Sequence, residues 1–553
     1  LAVVSVSVIL LGSCRNTPQF GKSPLDKVVR AMTIEEKADL LVGAPEGICQ
    51  TCAIPRLGIP SVTLVSTAIP ADEGMLLRTW NRDLAEQVGA YCAQTILDNG
   101  YDGILIPGFD SGNSTLSGMM AASSARGIQN QGAGTALLLD PGLDNAGMDI
   151  LAMESEHWAA VVNDTVIPAD WEFGGVVIST VSDNVIELSG HDMLIPGTQD
   201  LRDRLVRAIN DGTVDMADVN ESVTRILYMI EKRPEKGDPQ DRQDCSALKR
   251  AIESEGMVLL KNNGVLPLES SVRKVALYGV CSYETIVREM TEAVTIEKGL
   301  ENMGCKIDPA VAAQYRQFVR TDHSHIQPES LARQAFRYRA DAIVDDIALI
   351  TVGRSNEGGS LTDTELVLIK DVCESFHAKG KKVVLVLNTD VSVDTDGWAS
   401  YPDAILFAGI PESDAGTVVT AILTGRINPS GRLAAQYGSY PFGHGLSYTD
   451  FSYSNATCRH ENGKVSMSVT VTNTGNVSGK ETVQVYVGAV PDARHPMRGE
   501  LRTFAKTGQL QPGESQSLSF VLYDYYLPTA QGDYEIDFSS SSNNSRSSVV
   551  ISF

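Results

Sequence analysis

The chain is short of basic residues, of long apolar runs and of paired metal-binding motifs, and each shortage excludes something. Lys and Arg number 45 against 69 Asp and Glu, a formal net charge of -24 over 553 residues. A surface of that sign repels phosphate backbones and anionic lipid headgroups, so nucleic acid is not an expected partner and a neutral or cationic ligand is favoured. The same acidity also serves solubility alone. Past the first residues no apolar run is long enough to span a bilayer. The nine cysteines are irregularly spaced, with a single CxxC at Cys49 and Cys52. With no second CxxC and the nearest histidine at His157, that pair reads as a local disulfide or two free thiols rather than a zinc site. Neither a metal nor an organic cofactor is expected.

What is present begins with LAVVSVSVILLGSC, an apolar run of signal-peptide length ending in Cys14. Leu11-Gly12-Ser13-Cys14 resembles a bacterial lipoprotein signal, in which the cysteine is lipidated. Residues 1–14 are therefore expected to be a signal segment. The expected location is that of an exported lipoprotein, periplasmic or attached to the outer membrane, touching membrane only through an N-terminal lipid.

Residues 15–233 alternate short apolar strands (YDGILIPG, TALLLDPG, GGVVIST, HDMLIPG) with helical stretches, the pattern of parallel α/β structure. Thr33 followed by Glu36 predicts a capping box, and Asn81 and Gly100 bracket a predicted helix. The expectation is a shortened (β/α) barrel. Residues 234–270 read as a linker and connecting helix. Residues 271–440 carry KVALYGV, DIALITVG, KKVVLVLN and DAILFAG between helical stretches, an open parallel sheet with helices on both faces. From 441 to 553 the period becomes two: Val465, Met467, Val469 and Val471 alternate with polar neighbours, which predicts a small β-sandwich. The serine-rich run 539–548 reads as a solvated loop between the last two strands.

Seven segments in order, MTIEEKADLL, IPRLGIP, TWNRDLAEQVG, DMLIPG, EGMVLLKNNGVLPL, GRINPSGRL and YPFGHGLSYTDFSYSN, resemble the family 3 glycoside hydrolases, the β-glucosidase and β-xylosidase family. The resemblance spans almost the whole chain. It implies an α/β multidomain architecture: barrel, then α/β sandwich, then a fibronectin type III-like β-sandwich. It also implies a retaining mechanism with an Asp nucleophile after a barrel strand and a Glu acid/base from the second domain. Their carboxyls must stand roughly 5–5.5 Å apart.

GRSNEGGSL, 353–361, resembles the family's acid/base loop and places Glu357 at that position. An ordinary solvated loop glutamate is the alternative. The family's nucleophile strand ends Val-Val-Ser-Asp-Trp; here Thr180 stands at the Asp position, and a threonine without an adjacent base is a poor nucleophile. A shift of three residues nominates Asp183, but that reverses side-chain parity, so the loop would have to bulge. Ser66-Thr67-Ala68 replace the family's Asp-Gly-Pro, Leu138 and Leu139 replace its Lys-His pair, and its Gly-Arg-Asn-Phe-Glu segment is missing after Pro107-Gly108. No substrate-binding residue is assigned.

Asp140, Asp144 and Asp149 rebuild a polar pocket or serve caps and turns. Trp80 and Trp171 stack on sugar or, preferably, pack. His323 and His325 read as an exposed loop, and His444 as architectural. The expected function is a β-glucosidase-like exported protein of carbohydrate metabolism with lost or impaired hydrolysis, and an oligosaccharide or β-glycoside as its partner. The alternatives are an active retaining β-glycosidase using Glu357 and Asp183, and a non-enzymatic scaffold.

Overall fold

The computed structural model describes residues 17–44, 49–66, 72–107, 112–139, 159–163, 175–180, 191–195, 197–231, 245–288, 293–320, 344–354, 361–412, 414–490, 499–524 and 532–552. Cys14, Asp183 and Glu357 lie outside them, as do Asp140, Asp144, Asp149, Trp171, His323 and His325.

The first unit opens with α1 (Leu25–Ala31) and α2 (Ile34–Val42). Next come β1 (Cys49–Gln50), β2 (Thr63–Ser66), α3 (Glu73–Thr79), α4 (Arg82–Asp98), β3 (Gly103–Pro107), α5 (Ser114–Asn130) and β4 (Gly134–Leu139). β5 (Ala159–Asn163), β6 (Val177–Thr180), β7 (Met193–Ile195), α6 (Gln199–Asn210) and α7 (Met216–Glu231) complete it. The seven strands pair in chain order, β1 antiparallel to β2 and the rest parallel. Each crossover thus advances the sheet by one strand. Among the described residues no pairing joins β7 to β1, but the end of α2 lies between them: Ala44 N–H donates to Gln50 O at 2.6 Å, and Gly43 packs on Met193.

Local signals explain the helices. Thr33 Oγ1 accepts from Glu36 N–H at 3.2 Å while the Glu36 carboxylate accepts from Thr33 N–H at 2.9 Å, closing the capping box. Asn81 and Asn113 cap α4 and α5. Those two helices cross closely because Gly89 and Gly127 leave room; a Cβ on either would overlap the partner helix's backbone. Asp192 is buried at the start of β7. Its carboxylate accepts Val177 N–H at 2.9 Å, and its own N–H donates to Val177 O at 2.8 Å, so it locks β6 to β7.

The second unit contains α8 (Cys245–Gly256), β8 (Val258–Asn262), β9 (Lys274–Tyr278), α9 (Ile296–Asn302), β10 (Lys306–Ile307), α10 (Pro309–Arg320) and β11 (Ile347–Arg354). It continues with α11 (Asp363–His377), β12 (Lys382–Thr389), β13 (Ala404–Phe407) and α12 (Ala415–Leu423). Its sheet runs β10-β9-β11-β12-β13-β8, parallel except for β8. Here the sequence expectation needs correcting. β8 falls inside the stretch 234–270 assigned to linker and connecting helix, yet it pairs with β13 and belongs to the second sheet. Five residues of an antiparallel edge strand are too few to show a period.

The last unit pairs β14 (Phe451–Glu461), β15 (Lys464–Asn473), β16 (Thr482–Ala489), β17 (Glu500–Lys506), β18 (Ser515–Tyr523), β19 (Asp533–Ser539) and β20 (Ser545–Ser552) into two antiparallel sheets, β14-β15-β18 and β17-β16-β19-β20. Val465, Met467, Val469 and Val471 all point into the core between them. The serine run differs from expectation. Only residues 540–544 form the turn; Ser539, Ser540 and Ser541 are buried, and Ser545 to Ser548 are part of β20. Asp537 makes this possible by accepting from Ser539 Oγ at 2.9 Å and Ser545 Oγ at 2.5 Å.

Contacts between the units are dense. Trp80 is fully buried and packs its ring on Phe442 and Phe504, at centroid distances of 5.1 and 5.0 Å. This is the packing role expected of it. Glu255 of α8 receives Lys480 at 2.6 Å, Lys506 at 3.0 Å and Asn81 at 3.0 Å. Burial pushes the Glu255 carboxyl up, but the two lysines overcome it and hold the group down to about 2.

Glu253, two residues earlier, behaves oppositely. Burial, reinforced by Glu412 and Asp414, pushes it up to about 7, although it accepts Glu412 N–H at 2.6 Å and Lys249 lies nearby. The folded state therefore binds this proton more tightly than the unfolded chain. Its contribution to stability is full below the ordinary value of 4.5 and is lost as pH rises to about 7. Glu253→Gln keeps an acceptor for Glu412 N–H and removes the charge. It is expected to raise stability at pH 8 by about 2–3 kcal/mol and to change little at pH 4. Thermal unfolding of both proteins at the two pH values checks this.

Candidate active site

β11 ends at Arg354 and α11 begins at Asp363, so the segment 355–360 with Glu357 is strung between two described anchors. The Arg354 guanidinium forks onto the Glu365 carboxylate, Nη1 to Oε1 at 2.9 Å and Nη2 to Oε2. Both side chains are about 95% buried, at 5% and 3% exposure. Glu365 Oε2 also accepts from Thr362 N–H at 2.8 Å and Thr362 Oγ1 at 2.9 Å, a second capping box. One carboxylate thus ties the end of the strand to the start of the helix on either side of residues 355–360. Sequence reading missed the pair. The available signal was Thr362 three residues before Glu365.

On the barrel side, β6 ends at Thr180, paired in register with Ile195 of β7. Its neighbour Ser179 is buried, with Oγ 2.5 Å from His191 Nδ1. That hydroxyl is already engaged. Asp192 is a buried structural clamp, with Arg225 at 3.3 Å. His444 is half-buried, with Nε2 2.8 Å from Leu260 O, and burial lowers its basicity. Its position is that of a strut between two units. Cys49 and Cys52 are free thiols, as are the other six described cysteines.

The structure brings together a charged cluster that the sequence did not reveal. Asp72 caps α3, accepting Met75 N–H at 2.6 Å, and lies 3.6 Å from Arg288 and 4.0 Å from Arg78. Arg78 is buried, donates to Gly256 O at 3.2 Å, and holds its guanidinium 4.5 Å from the Phe407 ring centre. Asp390, just past β12, faces the same cations, and burial raises its carboxyl. Burial also raises Glu73. The cluster sits beyond the C-terminal ends of β2 and β12, where parallel sheets place their ligand sites. These residues come from three distant parts of the chain, so only folding assembles them.

What this arrangement offers chemically is a set of ion-paired carboxylates and arginines beyond the strand ends. Such groups can hold hydroxyls. Comparisons with known proteins show what the chain is similar to. Residues 257–448 match the glycosyl hydrolase family 3 C-terminal domain. Thermostable beta-glucosidase B of Acetivibrio thermocellus is 25% identical, over 90% of this chain and 82% of its own. The periplasmic beta-glucosidase of Salmonella typhimurium is 25% identical, over 68% of this chain and 63% of its own. The structure of beta-glucosidase 3B from Thermotoga neapolitana in complex with glucose matches with a TM-score of 0.79 at 25% identity, covering 96% of this chain and 98% of that one. Residues 257–448 thus carry a glycosyl hydrolase family 3 C-terminal domain, and the chain as a whole is similar in sequence and multidomain α/β architecture to beta-glucosidases of that family.

Proposed function

We propose that this protein handles β-glycosides but has lost, or keeps only weakly, the hydrolysis typical of its family. The first unit is read as a shortened barrel and the last as a fibronectin type III-like module. One observation carries the reading: β6, read as the counterpart of the family's nucleophile strand, ends on Thr180, a hydroxyl where a carboxylate would stand. A threonine hydroxyl is a far weaker nucleophile near neutral pH than an ionised carboxylate. The substitutions at Ser66, Thr67, Ala68, Leu138 and Leu139 remove further contacts to substrate. Glucosidase relatives support a sugar as ligand. Export with a lipid at Cys14 completes the proposal. Fatty-acid labelling of the protein in cells, lost in Cys14→Ser, is the expected outcome; unchanged labelling would remove that part.

The second reading, an active retaining enzyme with Glu357 as acid/base and Asp183 as nucleophile, draws support from the Arg354–Glu365 brace. Hydrolysis of aryl β-glucosides and β-xylosides separates the two. Saturable oligosaccharide binding with little turnover, insensitive to Asp183→Asn, is expected. Turnover that drops by orders of magnitude in both Glu357→Gln and Asp183→Asn would sink the impaired-hydrolysis reading.

A further inference from the structure

A cavity of about 540 Å³ that shares no lining residue with the charged cluster lies where α4 and α5 of the first unit face β17 and β18 of the last. Its volume is ample for a small oligosaccharide fragment. In a chain of net charge -24, its lining is unexpectedly basic: Arg82, Arg126, Arg502 and Lys506 against the single carboxylate of Asp83. Lys506 is committed to Glu255 and Thr79 O. Arg126 is shared between Glu86 at 2.9 Å and Ser123. Arg502 Nη2 donates to Glu500 at 2.7 Å, while its buried Nε has no hydrogen-bond partner among the described residues. An unsatisfied buried guanidinium nitrogen is costly unless something accepts from it.

The rest of the wall suits a sugar. Tyr523 and Val521 line it and are 46% and 50% exposed, giving an aromatic and an aliphatic surface at its side. Thr503, Ser519 and Asn81 add short polar groups. β17 and β18 are edge strands of their two sheets, so each has a row of backbone N–H and C=O groups outside its ladder. A shallower depression of about 380 Å³ shares Asp83 and runs on along α4 and α5, past Gln87 and Asn130.

We infer that this cavity is a second carbohydrate site, distinct from the interdomain cluster, for an oligosaccharide that carries a carboxylate. Arginine forks match a carboxylate in two parallel hydrogen bonds, the tyrosine face takes the sugar ring, and the adjoining depression takes the next residues. The sugar part of this inference rests on the proposed function; the carboxylate part rests on the arginines alone. No bond is made or broken there.

The test is calorimetric titration of the full chain with trigalacturonate and, in parallel, with cellotriose. Saturable trigalacturonate binding is expected, weakened about tenfold or more by Arg502→Lys, which keeps the charge and the fold but loses the fork. Arg126→Gln should weaken it likewise, Glu357→Gln should leave it unchanged, and cellotriose should not displace it. Unfolding temperatures of the variants confirm their integrity. Absence of trigalacturonate binding, or affinity unmoved by both arginine changes, would overturn the inference. Cellotriose binding would be untouched by that failure, so the proposed function is judged separately.

Discussion

Arg432→Ala is expected to destabilise the protein by about 3–5 kcal/mol, the usual loss when one member of a buried ion pair is removed. Arg432 and Glu481 are 2% and 5% exposed. Arg432 Nη2 donates to Glu481 Oε1 at 3.0 Å and Oε2 at 3.1 Å, and Nη1 to Gly431 O at 3.1 Å. Tyr453 Oη adds a bond to Glu481 Oε1 at 3.2 Å. The pair joins the segment after the second sheet to the start of β16. Without the cation, Glu481 is left charged in a site that water does not reach. The double change Arg432→Met with Glu481→Met removes both charges together and should lose much less than the sum of the singles. Urea unfolding of the four proteins gives the coupling. Additive losses would show that the pair acts independently of its burial.

Glu365→Ala should be comparably severe, about 3–5 kcal/mol, because it strands Arg354 in the core and removes the cap of α11 at once. Its effect reaches further than stability. On the proposed role of Glu357, loosening the two elements that flank residues 355–360 should weaken binding of a β-glycoside along with stability. Glu365→Gln keeps an acceptor for Thr362 and separates the two roles: the cap survives while the charge is lost. Titration of both variants with cellobiose, beside their unfolding curves, checks this. Unchanged affinity in a destabilised Glu365→Ala would restrict the pair to a structural role.

The parts of this fold legible in the sequence are those where one local rule dominates. The alternation of β15, the capping box at Thr33 and Glu36, and the unbroken apolar runs of β11 and β12 each state their element within ten residues. β8 was obscured because a short antiparallel edge strand has no period of its own. The serines around β19 and β20 were misread because composition signals a loop, whereas Asp537 supplies acceptors that let small hydroxyls be buried. Of the site, the sequence marked Thr180 as a departure from the family motif, and β6 ends on that residue. The Asp72, Arg78, Arg288 and Asp390 cluster was not, since nothing local marks residues that meet only after two units dock. The arginine-lined cavity was hidden for the same reason.

The most direct test of impaired hydrolysis is kcat/KM of the purified wild-type chain on an aryl β-glucoside. The expected result is a value at least about a thousandfold below the 10⁴–10⁸ M⁻¹s⁻¹ typical of enzymes, and unchanged in Asp183→Asn. A value inside that range, abolished in Glu357→Gln, would contradict it.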